Sequence, residues 1–134
     1  DLYKALYDVQ EKLIASCKPG TTLKQIDLKS KKLIGKLLKS FKYIKDESEY
    51  YKYYAHSIGH MLGLDTHDVQ HTGKREQPIL KKGMVLTIEP GIYIREENLG
   101  IRNEDDILIT AKGYDNLSSG IPKSISEIEK TMGA

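Results

Sequence analysis

Apolar residues recur every three or four positions through the first forty residues, and beyond residue 84 they gather into short, β-branched runs. Leu2, Leu6, Val9 and Leu13, with lysines and acidic residues between them, predict an amphipathic helix over 2–17. Lys18-Pro19-Gly20 ends it, because proline cannot continue a helix and glycine permits the turn. A second helix follows, with Thr22 as N-cap and Gln25 completing a capping box. Its apolar stripe is Ile26, Leu33, Leu37 and Phe41. The tyrosine-rich stretch 46–54 reads as a connection into a strand near Tyr53–His56. Residues 71–82, with Gly73 and Pro78, read as a loop. Met84–Ile88 predicts a strand, Pro90-Gly91 a turn, Ile92–Ile94 a second strand and 96–99 a hairpin-like loop. Asp106–Thr110 predicts a last strand, ended by Lys112-Gly113, and Ser124–Met132 a short helix capped by Ser124 or Ser126. Helix, helix, then strands is an α+β order, with the helices on one face of a largely antiparallel sheet.

Composition narrows the reading. A chain of 134 residues is one domain or part of one. A net charge of +2 does not call for nucleic acid or an anionic membrane as partner. No apolar run approaches the ~18 residues of a membrane span. Eight lysines between 24 and 45 read as the solvated face of the second helix, although a basic binding helix has the same pattern. The single cysteine, Cys17, excludes an internal disulfide and favours a reducing, cytoplasmic setting. Cys17 itself reads as a small apolar residue. The chain opens on Asp1 and directly on a helical pattern, with no leader signature, which predicts a piece of a longer polypeptide.

The chemistry concentrates in three places. HSIGHMLGLDTHD, from His56 to Asp68, holds three of the four histidines. Gly59 and Gly63 imply tight backbone geometry around them. His56 and His60 are four apart, but Ser57 stands where a zincin helix needs glutamate. Glu89 interrupts an apolar strand and shares a face with Thr87 and Val85. A carboxylate placed there is costly unless a cation or hydrogen bonds compensate it. Glu104 lies between Arg102 and Asp105-Asp106 and, taken alone, reads as part of a solvated charged turn. Together, histidine and two glutamates offer N and O ligands for a hard-to-borderline divalent cation in a hydrolytic site.

HSIGHMLGLDTHDV, GMVLTIEPGIYI and GIRNEDDILIT resemble, in order and spacing, the metal-dependent Xaa-Pro aminopeptidases (aminopeptidase P) and the prolidases. The likeness extends through GYDNLSSGIPKSISEIEKTM and back through the KPGTT turn. It implies the C-terminal half of a pita-bread fold: two helices followed by a largely antiparallel, curved sheet. The implied activity is release of an N-terminal residue before proline, by water activated between two divalent ions. Manganese is the usual metal, with cobalt or zinc substituting. His60 and Glu89 would ligate one ion, Glu104 would bridge both, and Glu89 would also exchange a proton with the attacking water or the leaving amine. His56 and His67 would line the substrate pocket and stabilise the tetrahedral intermediate. Arg102 would hydrogen-bond near the metal centre and bind substrate, and Asp68 and Asp105 would support the histidine and glutamate.

The family places two further ligands, both aspartates, upstream of the first helix. Asp1 and Asp8 do not fit them, being seven apart on a helical pattern. The resemblance therefore implies three of five ligands within residues 1–134, with the upstream part of the domain absent and required as a partner. The chain alone would bind metal weakly and hydrolyse little. Family members commonly form homodimers. Gln70 and Asn103 depart from the family's glycine and apolar residue at those positions. Two other readings stand beside this one: a prolidase acting on dipeptides, and a non-catalytic pita-bread module that binds peptides or proteins.

Overall fold

The computed structural model describes residues 1–68 and 79–133. Helix α1 (Leu2–Ile14) buries Leu2, Leu6, Val9, Leu13 and Ile14, the face its apolar spacing predicts. It ends before Cys17, because Ser16 and Cys17 turn back onto the Leu13 and Ile14 carbonyls ahead of Pro19. Helix α2 (Leu23–Ser40) begins at the expected capping box. The Gln25 N–H donates to Thr22 Oγ1 at 3.2 Å, and the Thr22 N–H donates to Gln25 Oε1 at 2.9 Å. Its buried face is Leu23, Ile26, Ile34, Leu37 and Leu38, while Leu33 and Phe41 lie at the margin.

The strand expected at Tyr53–His56 does not form. A 3₁₀ helix, Glu47–Lys52, runs just before it, opened by a second capping box between Asp46 and Glu49. The Tyr50 carbonyl then accepts from the Tyr53 and Tyr54 N–H groups, which leaves none of them for a ladder. Tyr54 is buried under α2, its hydroxyl 3.1 Å from Ser30 Oγ. Gly35 lets this segment approach α2, since a Cβ there would lie 2.5 Å from the Glu47 carbonyl oxygen.

Among the described residues six strands follow: β1 (Met61–Leu62), β2 (Val85–Ile88), β3 (Gly91–Ile94), β4 (Leu99–Arg102), β5 (Asp105–Ile109) and β6 (Tyr114–Asn116). All observed pairings are antiparallel. One sheet has the order β1-β2-β5-β6, and β3 pairs with β4 in a second. The strands β4 and β6 were not expected, for LGIR and YDN are only four and three residues long and none of their residues is fully buried. A 3₁₀ turn, Arg95–Glu97, closed by Asn98 at φ 51°, joins β3 to β4, and Leu99 already belongs to the strand rather than to the expected loop. Of the loop expected over 71–82, positions 71–78 lie outside the described residues. From Ile79 the chain is tied to the α1–α2 turn, with the Leu80 N–H on the Thr21 carbonyl at 2.7 Å.

The core lies between the helices and the four-stranded sheet. Leu86, Ile88, Ile107 and Ile109 are buried in it with Ile92, Ile94 and the apolar faces of α1 and α2. The same face carries Asp105, which is 1% exposed. Its carboxylate is held by the Lys123 ammonium and by Asn116 Nδ2 at 3.1 Å. Lys123 also donates to the Ser118 carbonyl at 3.0 Å, and its own carbonyl accepts from the Tyr3 hydroxyl at 2.7 Å. This fastens the tail to the sheet and to α1, ahead of helix α3 (Ile125–Met132), which is capped by Ser124. Among the described residues no helix is long and apolar enough to cross a membrane.

Candidate metal centre

Strand register assembles the site. In the β2–β5 ladder Ile88 lies opposite Asp105. Extended by one residue, the same register sets Glu89 opposite Glu104, both alternating away from the helix-covered face. In the β1–β2 ladder Met61 lies opposite Leu86, so His60 comes opposite Thr87. The Thr87 N–H donates to the His60 carbonyl at 2.9 Å, and the His60 N–H donates to Thr87 Oγ1 at 3.0 Å. The Glu89 N–H donates to the Ile58 carbonyl at 2.8 Å, and Asp27 of α2 accepts the Ile58 N–H at 3.0 Å. Helix and strand thus clamp the segment between His56 and His60. The close approach depends on Gly59, where a Cβ would lie 2.0 Å from the Thr87 carbonyl oxygen. At Gly63 a Cβ would lie 2.1 Å from the Asp68 carboxylate.

The outcome is a convergence of His60, Glu89 and Glu104, one ligand atom from each lying within 4.8 Å of the others. His60 Nε2 is 3.5 Å from Glu89 Oε1, and both side chains are largely buried. Glu104 is exposed. The imidazole is oriented for coordination. Nδ1 lies 3.0 Å from the Met61 carbonyl, an acceptor only, so Nδ1 carries the proton. Nε2 is thereby turned toward Glu89. A hydrogen bond from the distal nitrogen to a carbonyl is the usual way a metal-bound histidine is fixed. Two facing carboxylates repel one another unless a cation lies between them. One nitrogen and two carboxylates suit a borderline-to-hard divalent ion. The residues present therefore fit a divalent metal.

The remaining predicted residues surround this point. The His67 ring centroid is 4.3 Å from that of His60, at an exposed position. Arg102 Nη1 is 4.0 Å from Glu89 Oε2. The Tyr93 hydroxyl, electrostatically and as hydrogen-bond acceptor, holds the Arg102 guanidinium further toward its protonated form, with smaller contributions from Glu89 and Glu104. The Tyr93 hydroxyl lies 3.1 Å from His56 Nε2, while His56 Nδ1 donates to the Ser57 carbonyl at 2.8 Å. Nε2 is thus the accepting nitrogen, and Arg102, Tyr93 and His56 form one chain of contacts. Gly91 makes room for it, as a Cβ there would lie 2.8 Å from both His56 Nε2 and the Tyr93 oxygen. Tyr93 was not anticipated, because it reaches the site across the turn after Glu89 and nothing in its spacing marks it. Asp105 faces Lys123 and Asn116 on the opposite side from Glu104. Asp68 closes the histidine segment, its N–H on the Met61 carbonyl at 3.1 Å.

Comparison with known proteins gives a consistent picture. The profile of metallopeptidase family M24 matches residues 1–111. The chain is 39% identical over 140 residues to intermediate cleaving peptidase 55, mitochondrial, of Arabidopsis thaliana, covering 98% of this chain and 28% of that one. It is 36% identical over 147 residues to an Xaa-Pro aminopeptidase of Haemophilus influenzae, covering 98% of this chain and 34% of that one. The solved structure of a putative aminopeptidase P from Bacillus anthracis superimposes with a TM-score of 0.91 at 41% identity, over 98% of this chain and 31% of that one. The chain thus spans about a third of the length of the relatives it matches.

Proposed function

We propose, on the premise that the chain belongs to metallopeptidase family M24 and has the α+β pita-bread fold, that its 134 residues are the C-terminal portion of the catalytic domain of an Xaa-Pro aminopeptidase. The observation that carries this reading is the convergence of one imidazole and two carboxylates from three segments on one point.

In this reading His60, Glu89 and Glu104 would hold the divalent ions, Glu104 as the ligand shared between two. Two aspartates from a part of the domain outside residues 1–134 complete the set, so that part is an obligatory partner. A pair of manganese ions, or cobalt or zinc in their place, would supply a water nucleophile near neutral pH and a counter-charge for the scissile carbonyl. The chain's own groups do the rest. His60 is held ready by its bond to the Met61 carbonyl. Glu89 exchanges a proton with the attacking water or the leaving amine. His56 and His67 line the substrate pocket, and His67 donates toward the carbonyl oxygen, worth about 3 kcal/mol for a well-aimed donor. Arg102, through Tyr93, keeps His56 in place. The substrate is a peptide with proline at its second position. The names borne by the relatives favour an aminopeptidase over a dipeptidase. The single, buried Cys17 supports a reducing compartment.

Titration of the metal-free chain with manganese in a calorimeter tests the incomplete set. Weak binding is expected, and tight binding of two ions would refute the need for outside ligands. In the full-length protein Glu104→Ala is expected to abolish metal content and peptide cleavage together, and an active, metal-replete variant would sink the bridging role. His67→Ala is expected to lower turnover with metal retained. Loss of metal there would place His67 among the ligands.

A further inference from the structure

We propose that Thr87 is a positioning residue of this site: its hydroxyl joins the His60 backbone to the Glu89 carboxylate and holds the two ligands at one spacing. The inference rests on the metal reading above. Thr87 is 2% exposed. Its Oγ1 accepts the His60 N–H at 3.0 Å and donates to Glu89 Oε1 at 3.1 Å. The directions are fixed, because an amide can only donate and an ionised carboxylate can only accept. The hydroxyl has one proton, and it is committed to Oε1, the oxygen that faces His60 Nε2 at 3.5 Å. Oε2 is left toward Arg102 at 4.0 Å. The two oxygens of Glu89 are thereby made inequivalent before any ion arrives. Valine suits a strand as well as threonine does, and a buried hydroxyl is unfavourable unless it is hydrogen-bonded. Strand pairing alone therefore gives no reason for threonine here, whereas the two bonds do. Gly59 keeps the arrangement tight, for a Cβ there would come within 2.9 Å of Thr87 Oγ1.

The test compares the metal-free 134-residue chain with Thr87→Val, which keeps the shape, and Thr87→Ser, which keeps the hydroxyl. Manganese chloride is titrated into each, and paramagnetic broadening of the amide NMR signals reads binding even in the millimolar range. Thr87→Val is expected to bind about tenfold more weakly or worse, and Thr87→Ser to stay within about threefold of the wild type. Exchange of the His60 amide with deuterium, in the absence of metal, is expected to quicken in Thr87→Val and to be restored in Thr87→Ser. Valine and wild type binding alike, or serine as weak as valine, would overturn the role of Thr87 and leave the metal reading standing. No broadening around His60 in the wild type would overturn the metal reading, and this assignment with it. Thr87→Ala removes the hydroxyl without adding bulk and decides the matter in the same way where the valine variant does not fold.

Discussion

Lys123→Met is the most searching test of how the tail supports the sheet. The Asp105 side chain is 0% exposed and that of Lys123 13%. Lys123 gives the carboxylate its only cationic partner among the described residues, and Asn116 adds one neutral donor. Methionine keeps most of the length and apolar volume of lysine, so packing changes little. What changes is charge. A buried carboxylate that loses its cation is destabilising by about 3–5 kcal/mol. That is a large part of the ~5–15 kcal/mol that holds an ordinary domain folded. Asp105→Asn in the Lys123→Met background removes the stranded charge and is expected to recover about half of the loss or more. Urea unfolding followed by circular dichroism at fixed pH, with equal slopes for all variants, gives the free energies, and the double-mutant cycle gives the coupling. A loss below about 1 kcal/mol for Lys123→Met, the scale of an exposed pair, would refute the reasoning.

Further outcomes follow from single contacts. Gly59→Ala forces β1 away from β2, since its Cβ would meet the Thr87 carbonyl oxygen at 2.0 Å. A destabilisation of about 2 kcal/mol or more is expected in urea, and wild-type stability would show that the close approach is dispensable. Burial pushes the Cys17 thiol from 9.0 up to about 12. The stability tied to its neutral form is thus fully present below about pH 9 and lost as pH rises toward 12, at up to ~1.4 kcal/mol per pH unit. Ellman's reagent should leave folded Cys17 unmodified at neutral pH, and rapid reaction without urea would contradict its burial. The Glu49 carboxyl is held down from 4.5 to about 2, first by its bond from Lys52 and then by the Asp46 and Lys45 N–H groups. Its contribution is present above about pH 4.5 and is lost as pH falls toward 2, and a carbon-13 titration midpoint near 4.5 would count against that bonding.

Much of the architecture was legible because burial imposes a period. The 3–4 spacing of Leu2, Leu6, Val9 and Leu13 marked α1, and Thr22 with Gln25 marked the start of α2. The strand β5 alternates buried and half-buried residues, and DILIT shows it. The strand expected near Tyr53–His56 did not form, since the 3₁₀ helix ending just before it takes up the Tyr53 and Tyr54 N–H groups on the Tyr50 carbonyl. Neither β4 nor β6 announced itself, because edge pairing needs only backbone groups. At the site, the residue types of His60, Glu89 and Glu104 were readable, and register supplied their convergence. Tyr93, Gly91 and Asp27 were not readable, since each acts across a distance in sequence that only the folded chain closes.

Each of the three convergent groups stands one residue outside a ladder: His60 before β1, Glu89 after β2 and Glu104 before β5. That placement divides the chain into segments that can change length and segments that cannot. Extra residues between β1 and β2, or in the turn at 95–98, lengthen a connection and leave all three groups where they are. One residue inserted within Val85–Ile88, or between Glu104 and Asp105, turns a carboxylate to the helix-covered face. Insertions accumulated by descendants of a common ancestor are therefore expected to sort into the connections. A gap opened inside either ladder would mark a lineage in which the pocket has already been given up.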